Sequence, residues 1–151
     1  NPNFKELVFW TPVSGKTMLT LKEKHLDRTV PIEFISDGTL RFLILLAILY
    51  NPNRGSVVCL DEPEVGLHPD MIASVADGIK YAARNGTQMI VSTHSPLLLN
   101  DFELEDILIF EKDSENQTIV KRKSEEDFSD WEGDFLAGQM WVMGQLGGKR
   151  W

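Results

Sequence analysis

Two adjacent carboxylates, Asp61 and Glu62, close an apolar run in VVCLDEPEVGLHP (57–69), and His94 closes another in IVSTHSP (90–96). Short, wholly apolar, β-branched runs read as strands of a parallel sheet. Both motifs would then deliver polar side chains to a sheet's carboxyl edge, where α/β proteins build their sites. At such an edge the first carboxylate can hold a Mg²⁺ shell through water, and the second can orient and deprotonate an attacking water. A histidine beside them can donate a hydrogen bond to a terminal phosphate oxygen. One carboxylate after a strand is an ordinary acidic turn, and one histidine there is ordinarily structural. The full pattern, DE then PE-x-GLHP and later THS, points instead to phosphoryl transfer.

A third stretch, FISDGTLRFL (34–43), adds a candidate anion contact. Ser36 or Asp37 can cap a helix that begins near Gly38. The first-turn N–H groups and the positive end of the helix dipole then face outward, with no side chain at Gly38 to block approach. An ordinary N-cap is the alternative for this segment alone. WTPVSGKT (10–17) ends like the phosphate loop G-x-x-x-x-G-K-[ST], but Trp10 occupies the place of its first glycine. After Thr17, Leu19 and Leu21 fall on one face and Met18 and Thr20 on the other, the period of a strand where a phosphate loop would open a helix. Ser14-Gly15 is therefore read as a hairpin turn, with glycine supplying positive φ.

The elements that must position these residues follow from periodicity. The first third is β-rich: FKELVFW, KTMLTL, and TVPIEFI, in which Val30, Ile32 and Phe34 alternate onto one face. Residues 39–50, TLRFLILLAILY, are apolar nearly all round, as in a buried helix, and Asn51-Pro52-Asn53-Arg54-Gly55 breaks it. Strands covered on both faces are expected at 56–60 and 88–92, and a third strand at 106–110. QTIVKRK is expected to pair with that third strand across the turn 113–116. Residues 69–84 read as an amphipathic helix, with Pro69 in its first turn and Asn85-Gly86 as its stop. Short helices and a glycine-rich tail follow. Strands alternating with helices predict an α/β fold with a mostly parallel sheet flanked by helices, after a β-hairpin-rich amino-terminal opening.

With 151 residues and 42% hydrophobic content the chain can bury one sizeable core, and 1–151 is expected to be a single domain. Its parts are the β-rich opening (1–35), the motif-bearing core (36–111), and an edge strand with a helical tail (112–151). The net charge of −8 opposes non-specific attraction to nucleic acid or anionic membrane across the whole surface. A lone cysteine, Cys59, rules out an internal disulfide and fits a reducing, cytoplasmic compartment; in VVCL it reads as a small core residue. The longest apolar run, 42–50, is too short to span a bilayer. The chain opens at Asn1-Pro2-Asn3 without an initiator methionine, which points to a processed chain or a segment of a longer one.

Together ISDGTLR, VVCLDEPE, EVGLHP and VSTHSP, in this order, resemble the second half of an ABC-type ATPase domain. The resemblance is strongest to the soluble branch of RecF-like, SMC-like and OLD-family ATPases, P-loop NTPases grouped with AAA-family ATP-binding proteins. It covers about residues 34–96, and AGQMWVMGQLGG is similar to the tail of bacterial members. The resemblance implies that ISDGTLR is the signature motif, VVCLDEPE Walker B, EVGLHP the D-loop and VSTHSP the switch. Asp61 would then serve the Mg²⁺ shell, Glu62 would be the general base, and His94 would contact the γ-phosphate. Ser36, Asp37 and Gly38, with Gly66 and His68 of the D-loop, would contact ATP. The signature would act on a nucleotide held by a second subunit in a head-to-tail homodimer.

The sequence departs from that family in one respect. The Walker A loop belongs upstream of the signature, yet only 33 residues precede Phe34 and among them only VSGKT approximates it. The missing half would lie on a longer parent chain or on another polypeptide, leaving this chain inactive alone. The expected function is thus an ATP-binding and hydrolysis module that dimerises around Mg-ATP to drive an effector protein or act on DNA, without a membrane. A non-hydrolysing, ATP-dependent interaction module in a DNA-repair or defence complex is the alternative, and retention of Glu62 argues against it. A metal-dependent hydrolase using Asp61, Glu62, His68 and His94 is a third reading, weakened by the lack of a second histidine spaced for zinc.

Overall fold

A computed structural model describes residues 4–11, 15, 17–128 and 136–147. The chain opens with β1 (Phe4–Trp10) and β2 (Met18–Glu23), an antiparallel pair in which Leu7 faces Leu21 and Trp10 faces Met18. The hairpin expected around VSGKT is present, and Gly15 in its connection has φ +77°, a conformation glycine adopts without steric cost. Ser14 and Lys16 lie outside the described residues. β3 is shorter than its alternation predicts: only Val30–Pro31 pairs with β2, and Ile32–Phe34 form a 3₁₀ turn. Pro31 has no N–H to extend the ladder, so the chain turns there and leaves Phe34 exposed instead of aligned with Val30.

α1 (Asp37–Leu49) starts at Ser36, whose hydroxyl accepts from the Thr39 N–H. Phe42, Leu45 and Leu49 recur at helical spacing and are buried. The helix is not buried all round, however. Ile44 is 61% exposed and Ile48 also faces outward, because α1 packs on α2 along one side only. Uniform hydrophobicity gave no periodic signal for which side that is.

β4 (Val57–Asp61), α2 (Pro69–Arg84) and β5 (Gln88–Ser92) form a βαβ unit, with the two strands parallel and in register from Val57 opposite Gln88 to Asp61 opposite Ser92. Parallel neighbours need such a crossover, and α2 supplies it. α2 has the boundaries expected from Pro69 and Asn85-Gly86. Leu60, Met89 and Val91 pack against a core of Phe42, Leu45, Leu49, Ile72, Val75, Ala76, Ile79, Ala82 and Leu98. The opposite face is not covered among the described residues: Val57, Cys59 and Ile90 are exposed, so Cys59 is not the core residue its sequence context predicts. An apolar run shows that burial on both faces is tolerated; it does not supply the second layer.

Arg54 joins the far ends of the two long helices. Its guanidinium donates to the carbonyls of Leu49 (3.1 Å) and Asn51 (2.8 Å) and to Thr87 Oγ1 (3.0 Å). It also lies over the Tyr81 ring. Free carbonyls at helix carboxyl ends attract such a cation.

α3 (Pro96–Leu99) follows β5, with Ser95 as its cap. The third strand begins later than expected: a 3₁₀ turn covers Leu104–Asp106, and β6 (Ile109–Lys112) pairs antiparallel with β7 (Thr118–Lys121) across the predicted turn. This ribbon is a sheet of its own, separate from the β4–β5 pair. Beside it, Ile109 joins Ala137 and Met140 of α4 (Ala137–Val142) and Leu146 in a second small core. Of the expected tail helices, α4 and a 3₁₀ turn at Glu125–Phe128 are described.

Candidate functional site

The parallel pair carries its polar residues to one edge. Asp61 ends β4 and Ser92 ends β5 at the same register position, and Ser92 Oγ donates to Asp61 Oδ1. The chain then turns sharply through Glu62, whose φ of +42° is uncommon for a side-chain-bearing residue and costs about 1–3 kcal/mol. Several bonds impose that turn. The Glu62 N–H donates to the Ser92 carbonyl (3.1 Å) and lies 3.2 Å from Ser92 Oγ. The Glu62 carbonyl accepts from the Val65 N–H (3.1 Å) and from the Arg41 guanidinium of α1 (3.3 Å). Pro63, which follows, is fully buried.

This turn points the Glu62 carboxylate toward the loop after β5. Its Oε1 is 3.6 Å from His94 Nε2, ion-pair distance for a protonated ring, and the His94 side chain is 81% exposed. Asp61, Glu62 and His94, singled out from separate motifs, thus meet at one open sheet edge. For a Mg²⁺ shell the residues fit: Asp61 is an exposed carboxylate with a hydroxyl beside it, the hard oxygen donors that ion prefers.

The other predicted residues are placed differently. Ser36 donates to Thr39 Oγ1 (2.9 Å) and accepts from the Thr39 N–H (3.3 Å), the helix cap that the sequence places at Ser36 or Asp37. Asp37 is exposed in the first turn of α1. Gly38 has a packing reason to be glycine: a Cβ there would lie 2.4 Å from the Gly66 carbonyl oxygen. A side chain at that position would therefore collide with the backbone of the GLHP turn. Gly66 itself has φ +79°. His68 caps α2, its Nδ1 accepting from the Asp70 N–H at 3.2 Å. It is engaged in that cap, and among the described residues no three His, Cys, Asp or Glu side chains gather closely enough to hold a metal.

Three participants were not singled out from sequence: Ser92, Arg41 and Glu64. Parallel pairing of 57–61 with 88–92 would have aligned Ser92 with Asp61. Arg41 and Glu64 carried no signal beyond lying inside the quoted motifs. Glu64 Oε1 accepts from Thr93 Oγ1 and from the His94 N–H (3.3 Å).

A βαβ unit with a carboxylate pair and a histidine at its carboxyl edge, beside a capped helix, is the arrangement of a P-loop NTPase fold. Two solved SMC structures share that fold. One, described for ATP-driven dimerization and DNA-stimulated activation of SMC ATPases, aligns with a TM-score of 0.66 at 21% identity over 99% of this chain and 85% of that one. The other is an SMC head bound to the C-winged helix domain of ScpA, with a TM-score of 0.59 at 20% identity over 83% of this chain and 39% of that one. The family described as "AAA domain, putative AbiEii toxin, Type IV TA system" matches residues 8–100, and the chain belongs to it. An uncharacterized protein of Methanocaldococcus jannaschii is 33% identical over 130 residues, which is 78% of this chain. The Old nuclease of Escherichia phage P2 is 36% identical over 67 residues, 44% of this chain. The chain spans 34% of the length of the first relative and 11% of the second. Among the described residues no helix is long and apolar enough to cross a membrane.

Proposed function

We propose that this chain is the signature, Walker B and switch portion of an ATPase that binds and hydrolyses ATP between two head-to-tail copies. The observation that carries the reading is the convergence of Asp61, Glu62 and His94, with Ser92, at the carboxyl edge of the β4–β5 pair. In this reading Asp61 holds the Mg²⁺ shell and Ser92 orients its carboxylate. Glu62 accepts a proton from the attacking water, and His94 donates to the terminal phosphate oxygen. Mg²⁺, when bound, would neutralise charge on the phosphate oxygens. Ser36, Asp37 and Gly38 at the start of α1, with Gly66 and His68, lie on the surface offered to the other copy's nucleotide. The phosphate cradle comes from another segment or polypeptide, since VSGKT lies in the connection of an antiparallel hairpin. The chain works in the cytoplasm as part of a larger assembly. Relatives described as a nuclease, a toxin–antitoxin component and DNA-stimulated ATPases support an effector protein or DNA as the partner.

The test is Glu62→Gln in the complete protein. Removing a general base should lower ATP turnover by about 10²- to 10⁴-fold. ATP affinity, measured by equilibrium binding, should be retained. Unchanged turnover would exclude Glu62 as the base. Absence of turnover in the unmodified protein, with ATP-dependent dimerisation intact, would favour the non-hydrolysing interaction module, the reading that the hairpin at VSGKT otherwise supports.

A further inference from the structure

His94 stands at the site without packing to hold it. Its ring is 81% exposed, and its Nε2 lies 3.6 Å from Glu62 Oε1, beyond hydrogen-bond length. A solvated ring without packing is a poor phosphate contact unless its backbone is fixed. The residue that fixes the backbone is Glu64. Its Oε1 accepts from Thr93 Oγ1 and from the His94 N–H (3.3 Å). Thr93 Oγ1 in turn accepts from the Ser95 N–H (3.0 Å), and Ser95 caps α3. Three consecutive residues after β5 are therefore organised around one carboxylate oxygen. The other oxygen, Oε2, is buried with no hydrogen-bond partner among the described residues, a placement that costs desolvation energy.

Glu64 is separated from Glu62 only by the buried Pro63, whose ring locks φ. The path from Glu62 through Pro63 to Glu64, across to the His94 N–H, and back from the His94 ring to Glu62 is thus a closed circuit of one rigid turn, one hydrogen bond and one longer charge contact. We propose that Glu64 is a positioning residue for His94: it acts as a hydrogen-bond acceptor that sets the switch loop, and through it the Glu62–His94 spacing. The inference rests on the reading of Glu62 and His94 as the hydrolytic pair. It concerns a residue whose hydrogen bonds are to Thr93 and to the His94 backbone.

Only an acceptor at Oε1 is required, so charge is dispensable. Glu64→Gln keeps that acceptor and alters the atom without a partner, whereas Glu64→Ala removes the anchor. In the complete protein, with ATP and Mg²⁺, Glu64→Ala should lower kcat by about 10- to 100-fold, the usual effect of losing a residue that orients a functional group. KM for ATP should stay within about twofold of the unmodified value, and Glu64→Gln should restore most of kcat. Thr93→Val deletes the donor at nearly constant volume and should reproduce the loss; Thr93→Ser should not. The Glu64→Ala/Thr93→Val double variant should be no slower than the slower single variant, because both break one circuit. If Glu64→Ala fails to fold, the two Thr93 variants decide the question. Equal loss in Glu64→Gln and Glu64→Ala would show that charge is what matters and overturn the proposal. So would full activity in both Glu64→Ala and Thr93→Val. Glu62→Gln serves as the reference: if it abolishes turnover while Glu64→Ala and Thr93→Val do not reduce it, this inference alone fails. If Glu62→Gln leaves turnover intact, the hydrolytic pair and the inference fall together.

Discussion

Replacing Gly38 with alanine sets two effects against each other, and the structure decides the sign. Gly38 is the second residue of a 13-residue helix, and at an open helical position Gly→Ala stabilises by about 0.4–1 kcal/mol through helix propensity and a less flexible unfolded chain. At Gly38 the added Cβ would meet the Gly66 carbonyl oxygen at 2.4 Å, about an ångström inside the 3.4 Å where ordinary contact begins. The obstacle is backbone with φ +79°, and it cannot swing aside as a flexible side chain would. Overpacking of this kind costs about 1–3 kcal/mol, so the net expectation is a loss of about 1–2 kcal/mol. With an m-value of about 2 kcal/mol/M, that is a urea midpoint lower by about 0.5–1 M, measured by circular dichroism on this chain. Amide exchange should quicken at residues 64–67 as the GLHP turn is pushed outward. A midpoint unchanged or raised would show that the start of α1 and the GLHP turn are not in contact, and that Gly38 is glycine for another reason.

Arg54→Met should lower stability by about 1–2 kcal/mol, because it removes the guanidinium donors to the Leu49 and Asn51 carbonyls and to Thr87 Oγ1; Arg54→Lys should recover little, since an ammonium cannot reproduce the guanidinium fork. Thermal denaturation of both variants checks this. Phe42→Ala, at a site only 1% exposed, should cost about 3–5 kcal/mol, while Ile44→Gln on the outward face of the same helix should stay within about 0.5 kcal/mol. Equal losses in denaturant titrations would mean that α1 is buried on both sides.

Much of the site was legible because its chemistry is written locally. DEPE, THS and SDG each pair a strand or helix end with the functional residue on adjacent positions, so element type and chemistry could be read together. α2 was legible to the residue, because Pro69 and Asn85-Gly86 mark helix ends through φ preference alone. TVPIEFI misled, since alternation cannot register that Pro31 stops the ladder. TLRFLILLAILY and VVCL misled for a different reason: a fully apolar segment carries no period that distinguishes its covered face from its open one.

Residue identity and short-range spacing therefore settled the two parallel strands and the residues at their ends. Contacts distant in sequence needed the tertiary structure. Asp61 meets Ser92, Glu62 meets His94 and Arg41, and Glu64 meets Thr93, each across more than twenty residues of chain. Such pairings are created by the strand register and by the crossing of α2, and they leave no local signature because either partner is an ordinary polar residue until the fold brings the other to it. The same holds for Gly38, where a side chain would collide with the Gly66 carbonyl, a contact across 28 residues that no local pattern announces.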